Sequence, residues 1–426
     1  MGQHNQFTLL SKRQFLPLFI TQSLGAFNDN LFKNALVILI TFDLAIRSGS
    51  DPGLLVTSAA GIFILPFFLF SATAGQLADR YDKAHVIRLV KLVEVFLMLG
   101  AALGFYLQSL GFLFFALFLM GAQSAFFGPL KYGILPDHLP GDELISGNAL
   151  IQAATFLAIL LGTLAGGLLI MATGGPEIIS LALVLIALAG WLASRAIPAT
   201  ASAAPELRIS LNFLAETWSI ISYGAHHPEI FRPILAVSWF WLVGATFLAQ
   251  LPTFGKVSLA GDEATVTLLL LVFSIGIGTG SLLCNRLLRG AIHLTYVPYG
   301  ALGISLFALE IYFASNAYPV KPSDAHSGVF WFLSQGYGWR VLLDMFMIAL
   351  SGGIYIVPLN ALIQARSEEA HRARNIATVN ILNALFMVVS AIVSALLLTL
   401  GFSVPELFLT VAICNLGAIY FTAKIS

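Results

Sequence analysis

The chain has 426 residues, of which 58% are hydrophobic and only 10% charged, with 34 phenylalanines and a mean hydropathy of +0.90. That composition excludes an ordinary soluble domain, in which about a quarter of residues are charged. Lys and Arg number 21, as do Asp and Glu, so no net charge points to nucleic acid or another polyanion, and the two cysteines, Cys284 and Cys414, lack metal or redox spacing.

Taking about 20 apolar residues as one membrane span, the sequence predicts twelve spans, near 14–45, 53–78, 86–107, 110–134, 145–171, 178–197, 233–256, 264–284, 293–314, 339–362, 375–400 and 405–423. Lys12 and Arg13 precede the first. It is long, polar at its centre and has no small-residue cleavage site, so it reads as a retained helix rather than a signal peptide. Inside it, Thr21–Ala35 places Asn28, Asp29, Asn30, Lys33 and Asn34 among apolar residues. At helical spacing Gln22, Ala26, Asp29 and Lys33 share one stripe, which puts a carboxylate and an ammonium one turn apart. Ionisable groups at membrane depth point to a functional site; a packing ion pair, or a pair near one interface, is the structural alternative.

Further along, Gly75-Gln-Leu-Ala-Asp79-Arg80-Tyr-Asp82-Lys83 joins the second and third spans, and Asp79 is expected to clamp with Arg80 or Lys83. Lys91 and Glu94 in the third span read as a structural pair near the inner surface. Asn148, Gln152 and Thr155 fall on one face of the fifth span. Residues 198–232 form the longest connection and divide the spans six and six, so the expected domains are 1–197, a linker 198–232 and 233–426. The linker opens with a Pro- and Ala-rich stretch, and Leu211, Leu214, Trp218 and Ile221 predict a short interfacial helix within it. Phe330-Trp-Phe-Leu333, Tyr337 and Trp339 read as an aromatic belt near an outer loop, 315–338. Arg340 and Asp344, four apart, are expected to pair.

With both termini in the cytoplasm, fourteen Lys and Arg residues lie on the inner side, among them Arg80, Lys83, Arg372 and Arg374. Four (Arg47, Lys256, Lys321 and Arg340) lie outside, and Lys33, Lys91 and Lys131 remain in the membrane. That asymmetry sets the expected orientation. The halves also echo one another. Gly128-Pro-Leu-Lys131 corresponds to Val357-Pro-Leu-Asn360, each followed by a segment opening on Asn (Asn148, Asn375), and Gly75–Arg80 corresponds to Gly280–Arg286. Such repeats suit a transporter built of two six-helix bundles, with its site at the interface of the halves.

The stretch from Gly75 to Lys83 resembles the loop motif of the major facilitator superfamily, which implies an all-α fold of two pseudo-symmetric six-helix bundles and a gating role for Gly75, Asp79, Arg80 and Lys83. Ala26-Phe-Asn-Asp29-Asn30, Pro129-Leu-Lys131-Tyr132-Gly133, Gly147-Asn148-Ala-Leu-Ile-Gln152, Leu160–Gly167 and Val357–Leu362 together resemble the bacterial lysophospholipid transporter family. The second half is closer to the form fused to an acyltransferase and an acyl-ligase. The resemblance implies transport of lysophosphatidylethanolamine and lysophosphatidylglycerol from the outer to the inner leaflet of the bacterial inner membrane, with Asp29, Asn30 and Lys131 as matching site residues. An arginine that some family members carry in the seventh span has no counterpart in Trp239–Gln250.

Chemically, Lys131 can meet a phosphate as a point charge. Asp29, with Lys33 beside it, can meet an ammonium, and Asn28, Asn30, Tyr132, Asn148, Gln152 and Asn360 complete the expected substrate contacts. Two structural alternatives stand beside this: amides that join helices, and a Lys131 that snorkels to the interface. A proton-coupled exporter of drugs or small metabolites, with Asp29 as the protonation site, is the competing function. No His is followed five positions later by Asp, as acyltransferase chemistry needs, and no P-loop is present. No enzyme activity, cofactor, metal or nucleic-acid partner is therefore expected; the expected partners are a lysolipid, membrane lipids and an acyltransferase or acyl-ligase, and the expected state is a monomer.

Overall fold

Hydrocarbon offers no water to a backbone N–H or C=O, so a spanning chain must close its hydrogen bonds within helices or a barrel. The computed structural model describes residues 5–44, 51–210, 212–317 and 328–425, and it takes the helical solution. Its long helices are α1 (Leu16–Leu39), α2 (Pro52–Arg80), α3 (Lys83–Leu107), α4 (Leu110–Gly133), α5 (Leu144–Ile170), α6 (Gly175–Ser194), α7 (Pro228–Thr253), α8 (Glu263–Leu288), α9 (Val297–Asn316), α10 (Gly336–Arg366), α11 (Arg372–Thr399) and α12 (Val404–Ala423). Among the described residues, ten helical segments are long and apolar enough to cross a membrane. Outside that set are α1 and α3, which carry Asp29, Lys33, Lys91 and Glu94.

Local chemistry fixes the helix ends. Asp51 accepts from the Leu54 N–H and Pro52 fills the first position of α2, while Asp82 accepts from Ala84 and starts α3 three residues before its predicted beginning. The first predicted span, 14–45, gives way after Leu39 to a π turn over Ile40–Leu44. The linker helix runs Phe213–Ala225 because Asn212 caps it, accepting from Ala215. Leu211, Arg47, Lys321 and the centre of the 315–338 loop lie outside the described residues. Pro129 and Pro358, the paired prolines of the sequence echo, both sit inside helices, α4 and α10.

Contacts divide the chain into two units: Met1–Gly147 with Leu157–Phe231 and Ile363–Ile381, and Asn148–Phe156 with Arg232–Leu362 and Leu382–Ser426. Within the first, α2 packs on α4, α3 on α4 and α6, α1 on α6, and the linker helix on α2. The beginning of α11 belongs to this unit as well. Within the second, α9 packs along α12, where Asn415 donates to the Ala301 carbonyl (2.7 Å) and accepts from the Trp239 indole (2.8 Å).

Helix α3 has its polarity inverted. Lys91 and Glu94 are 1% and 2% exposed, whereas Leu89, Val93 and Phe96 are 49%, 50% and 64% exposed. Charge inside and apolar surface outside is the arrangement a helix takes against lipid.

Candidate functional site

Close approach of α5 positions the polar stretch of α1. A Cβ at Gly162 would meet Asn30 Cβ at 3.1 Å as well as the Phe27 carbonyl, and one at Gly166 would meet the Leu31 carbonyl at 2.5 Å. Two small residues four apart therefore let the backbones touch, as in membrane helix pairs. The Asn34 amide then reaches the Thr163 carbonyl at 2.6 Å. On the other side of α1, Gln22, Gly25 and Asn28 are buried toward the unit's interior.

Three helices bring charges to this interior. The Ser124 hydroxyl of α4 donates to Asp29 Oδ2 at 2.7 Å. Glu94 of α3 accepts from Lys91 (2.6 Å), from Gln123 of α4 (2.9 Å) and from Asn28 of α1 (3.3 Å). The Lys91 ammonium also lies 4.4 Å from the Phe127 ring centroid, and it occupies the space that a Cβ on Gly25 would need. Asp29 lies within electrostatic reach of Glu94, Lys33 and Lys91, and Lys131 within reach of Lys91 and Asp29. Asn28 Oδ1 is buried without a hydrogen-bond partner.

The predicted residues separate into groups. Asn28, Asp29, Lys33 and Lys131 share this interior. Lys33 rests 4.4 Å over the Phe63 ring, and among the described residues no ion pair joins it to Asp29. Lys131 lies 4.9 Å from the ring of Tyr132, and the Asn30 amide turns back to the Ala26 carbonyl (2.7 Å). Asn148 and Gln152 are buried on the part of α5 that clusters with the second unit, which also holds half-buried Asn360.

One pairing agrees with expectation and one differs. Lys91 and Glu94 pair at 2.6 Å as expected, and Gln123 and Asn28, from two other helices, also bond Glu94; Gln123 and Ser124, polar neighbours in an apolar span, were the overlooked signal. Arg340 pairs with Glu310 of α9 instead of Asp344, because the α9 carboxylate approaches its guanidinium directly. Asp344, 2% exposed, keeps Oδ2 without a hydrogen bond. On the outer flank of α2, α3 and α4 lies an apolar groove of about 510 Å³, whose lining includes Leu77, Tyr81, Leu89, Val93 and Gln123.

A second cluster surrounds the α2–α3 turn, and its clamp is built differently from the expected one. Asp79, 0% exposed, accepts from the Ala373 N–H (2.9 Å), the Arg374 N–H (3.3 Å) and Arg374 Nε (3.0 Å). It thus caps the beginning of α11 rather than pairing with Arg80 or Lys83. Gly75 makes this possible, since a Cβ there would stand 2.9 Å from Arg374 Cα and from Ala377 Cβ. Lys83 and Arg372 instead share Asp137, at 2.8 and 3.0 Å. Arg80 lies 5.3 Å from the Tyr81 ring.

The linker fastens to the same turn. Burial disfavours a charge on Asp82, but the Thr200 N–H and hydroxyl, with the Ala84 and His85 amides, outweigh it and hold the carboxyl below its usual range. The sign follows: this contact contributes fully above the usual carboxylate range and is lost as pH falls through the lower folded value. Asp82→Ala is expected to cost about 0.5–2 kcal/mol through lost α3 capping and to speed amide exchange at Thr200 at neutral pH. Unchanged exchange would contradict the latch.

Comparison with known proteins agrees with this architecture. The family model of the Major Facilitator Superfamily matches residues 18–391. A lysophospholipid transporter of Escherichia fergusonii is 29% identical over 380 residues, covering 87% of this chain and 85% of that protein. One from Salmonella newport is 28% identical over 374 residues, covering 86% and 84%. Among solved structures, the human organic anion transporter MFSD10 superposes with a TM-score of 0.79 at 14% identity, covering 96% of this chain and 99% of that one. The Escherichia coli fucose:proton symporter does so at 0.68 and 14%, covering 97% and 100%. At such identity these two show the fold alone.

Proposed function

The chain belongs to the major facilitator superfamily and is a multi-pass membrane transporter, and on that premise we propose that it carries lysophospholipids from the outer to the inner leaflet of a bacterial inner membrane. Both termini face the cytoplasm in this reading, and lysophosphatidylethanolamine and lysophosphatidylglycerol are its substrates. The observation that carries it is that Asp29 of α1 and Lys131 of α4, the latter in a helix long and apolar enough to span a membrane, bring opposite charges into one electrostatic neighbourhood. Transporters similar to this chain in sequence are named for lysophospholipids, which supports the substrate class.

The polar end of such a lipid needs a cation for its phosphate and acceptors for an ammonium or glycerol hydroxyls. Lys131 supplies the first as a compact point charge. Asp29 and the free carbonyl oxygen of Asn28 supply the second. The single acyl chain needs no polar partner, so it can remain in hydrocarbon while the head crosses. Alternating access then takes the form of breaking and remaking the contact of Asp79 with α11. No ATP is required if an acyltransferase and an acyl-ligase, fused or separate, consume the lysolipid on the inner side and keep its flow downhill.

The test is movement of a lysolipid across vesicles containing the purified protein, read as protection from an external reagent that reacts with the head. Protein-dependent movement supports the assignment. Proton-driven efflux of soluble cations, with no response to lysolipid, would replace it with the exporter reading.

A further inference from the structure

The apolar groove of about 510 Å³ on α2, α3 and α4 has a direction and a charged end. It begins beside Tyr81 and His85 at the α2–α3 turn and follows α3 past Leu89 and Val93 to Leu97. Positions 85–97 of a helix cover about 18 Å at about 1.5 Å per residue, close to the depth of one leaflet's hydrocarbon, about half of a 30 Å core. Leu89 and Val93 are exposed, so the groove lies in the face of α3 that meets lipid. Beyond His85 its lining among the described residues is apolar except for Gln123, whose amide nitrogen is bonded to Glu94 (2.9 Å). At the turn, Arg80 lies 5.3 Å from the Tyr81 ring, and among the described residues no carboxylate stands within ion-pair distance of it. The acids nearby are engaged elsewhere: Asp79 with α11, Asp82 with Thr200 and the start of α3, and Asp137 with Lys83 and Arg372. Lipid tails are as apolar as the lining, so the groove draws a tail no more strongly than bulk lipid does. Left empty, it would forfeit contacts along its whole wall. A tail therefore fills it, and the choice of lipid falls to the charge at its end.

We propose that this groove is a site for a resident two-chain phospholipid, separate from the transport site. One acyl chain lies along α3, and Arg80, with His85 beside it, holds the phosphate. The lipid belongs to the leaflet that the α2–α3 turn faces, the inner one in the proposed orientation. Basic residues at the membrane-surface end of a cleft between helices are the chemistry that recognises lipid phosphates. Arg80 offers a planar fork that two phosphate oxygens match. The second chain stays in bulk lipid. A lipid fixed here braces the turn that carries Asp79 to the beginning of α11.

The experiment offers the purified protein dioleoylphosphatidylglycerol and dioleoylglycerol, which share their chains but not the phosphate, and counts bound lipid by native mass spectrometry. The phospholipid is expected to be retained about tenfold better, as one charge-assisted contact allows. Arg80→Gln is expected to bring the two lipids to within about twofold. Val93→Trp, which puts an indole into the groove from an exposed position, is expected to lower phospholipid retention about fivefold, whereas Lys131→Ala leaves it unchanged. Equal retention of the two lipids by the unmodified protein overturns the inference. So does a preference that either Arg80→Gln or Val93→Trp leaves intact, or one that Lys131→Ala removes, which would put the lipid in the transport site. Both probes carry two chains, so each of these outcomes leaves lysolipid transport to its own test.

Discussion

Asp29→Asn and Lys131→Ala are each expected to abolish lysolipid movement in reconstituted vesicles while leaving helical content and detergent elution unchanged. Asn has the shape of Asp and can still accept from the Ser124 hydroxyl, which reaches the side chain at 2.7 Å, so the α1–α4 contact survives. What disappears is the negative charge that faces Lys33, Lys91 and Lys131. Among the described residues, Asp29 has no lysine within ion-pair distance, so the loss acts through charge at longer range, and a weakening of head-group binding by about tenfold or more, about 1.4 kcal/mol, is expected. Lys131→Ala removes the cation proposed to meet the phosphate and leaves Asp29 to Lys33 and Lys91 alone. A purely structural role for either residue predicts lost stability instead of lost transport. Normal transport by both variants would remove them from the site.

Asp79→Ala is expected to release the beginning of α11 from α2. The carboxylate is wholly buried and satisfies two backbone amides and the Arg374 guanidinium at once. Breaking such a buried pair from one side costs about 3–5 kcal/mol, because the remaining donors are left without a partner. Arg374 is 16% exposed along its side chain, so part of that cost returns through water. Thr378, 0% exposed and one turn beyond Arg374, reports the release. In protein with Cys284 and Cys414 replaced by Ser, Thr378→Cys should react slowly with a small thiol reagent, and adding Asp79→Ala should speed the reaction by about tenfold or more. Gly75→Leu should do the same by steric means, since its side chain would meet Arg374 and Ala377. Equal labelling rates with and without Asp79 would show that this contact holds nothing shut.

Much of this was legible because membranes punish polar groups so heavily. Asp29, Lys33 and Lys131 stand out in apolar spans whatever the fold, and hydrophobic length alone delimits most of the helices. The Gly75–Lys83 motif marked the right segment but not its partner: Asp79 reaches Arg374, nearly 300 positions away, and no local spacing encodes that. The Lys91–Glu94 pair was legible from its i,i+3 spacing, but only tertiary packing shows that Asn28 and Gln123 complete its bonding. The same limit applied to Arg340, whose neighbour on its own helix was the wrong carboxylate. Periodicity reports which face of a helix is polar; it does not report which helix that face meets.

The central claim is that Asp29 and Lys131 hold one lipid's polar end together, and a double-variant cycle on lysolipid affinity tests it most directly. Affinity would be measured for the unmodified protein, Asp29→Asn, Lys131→Ala and the combination. Joint action predicts that the double variant loses far less than the product of the single losses, with a coupling of about 0.5–3 kcal/mol. Losses that multiply, with no coupling, would mean that the two residues serve separate sites.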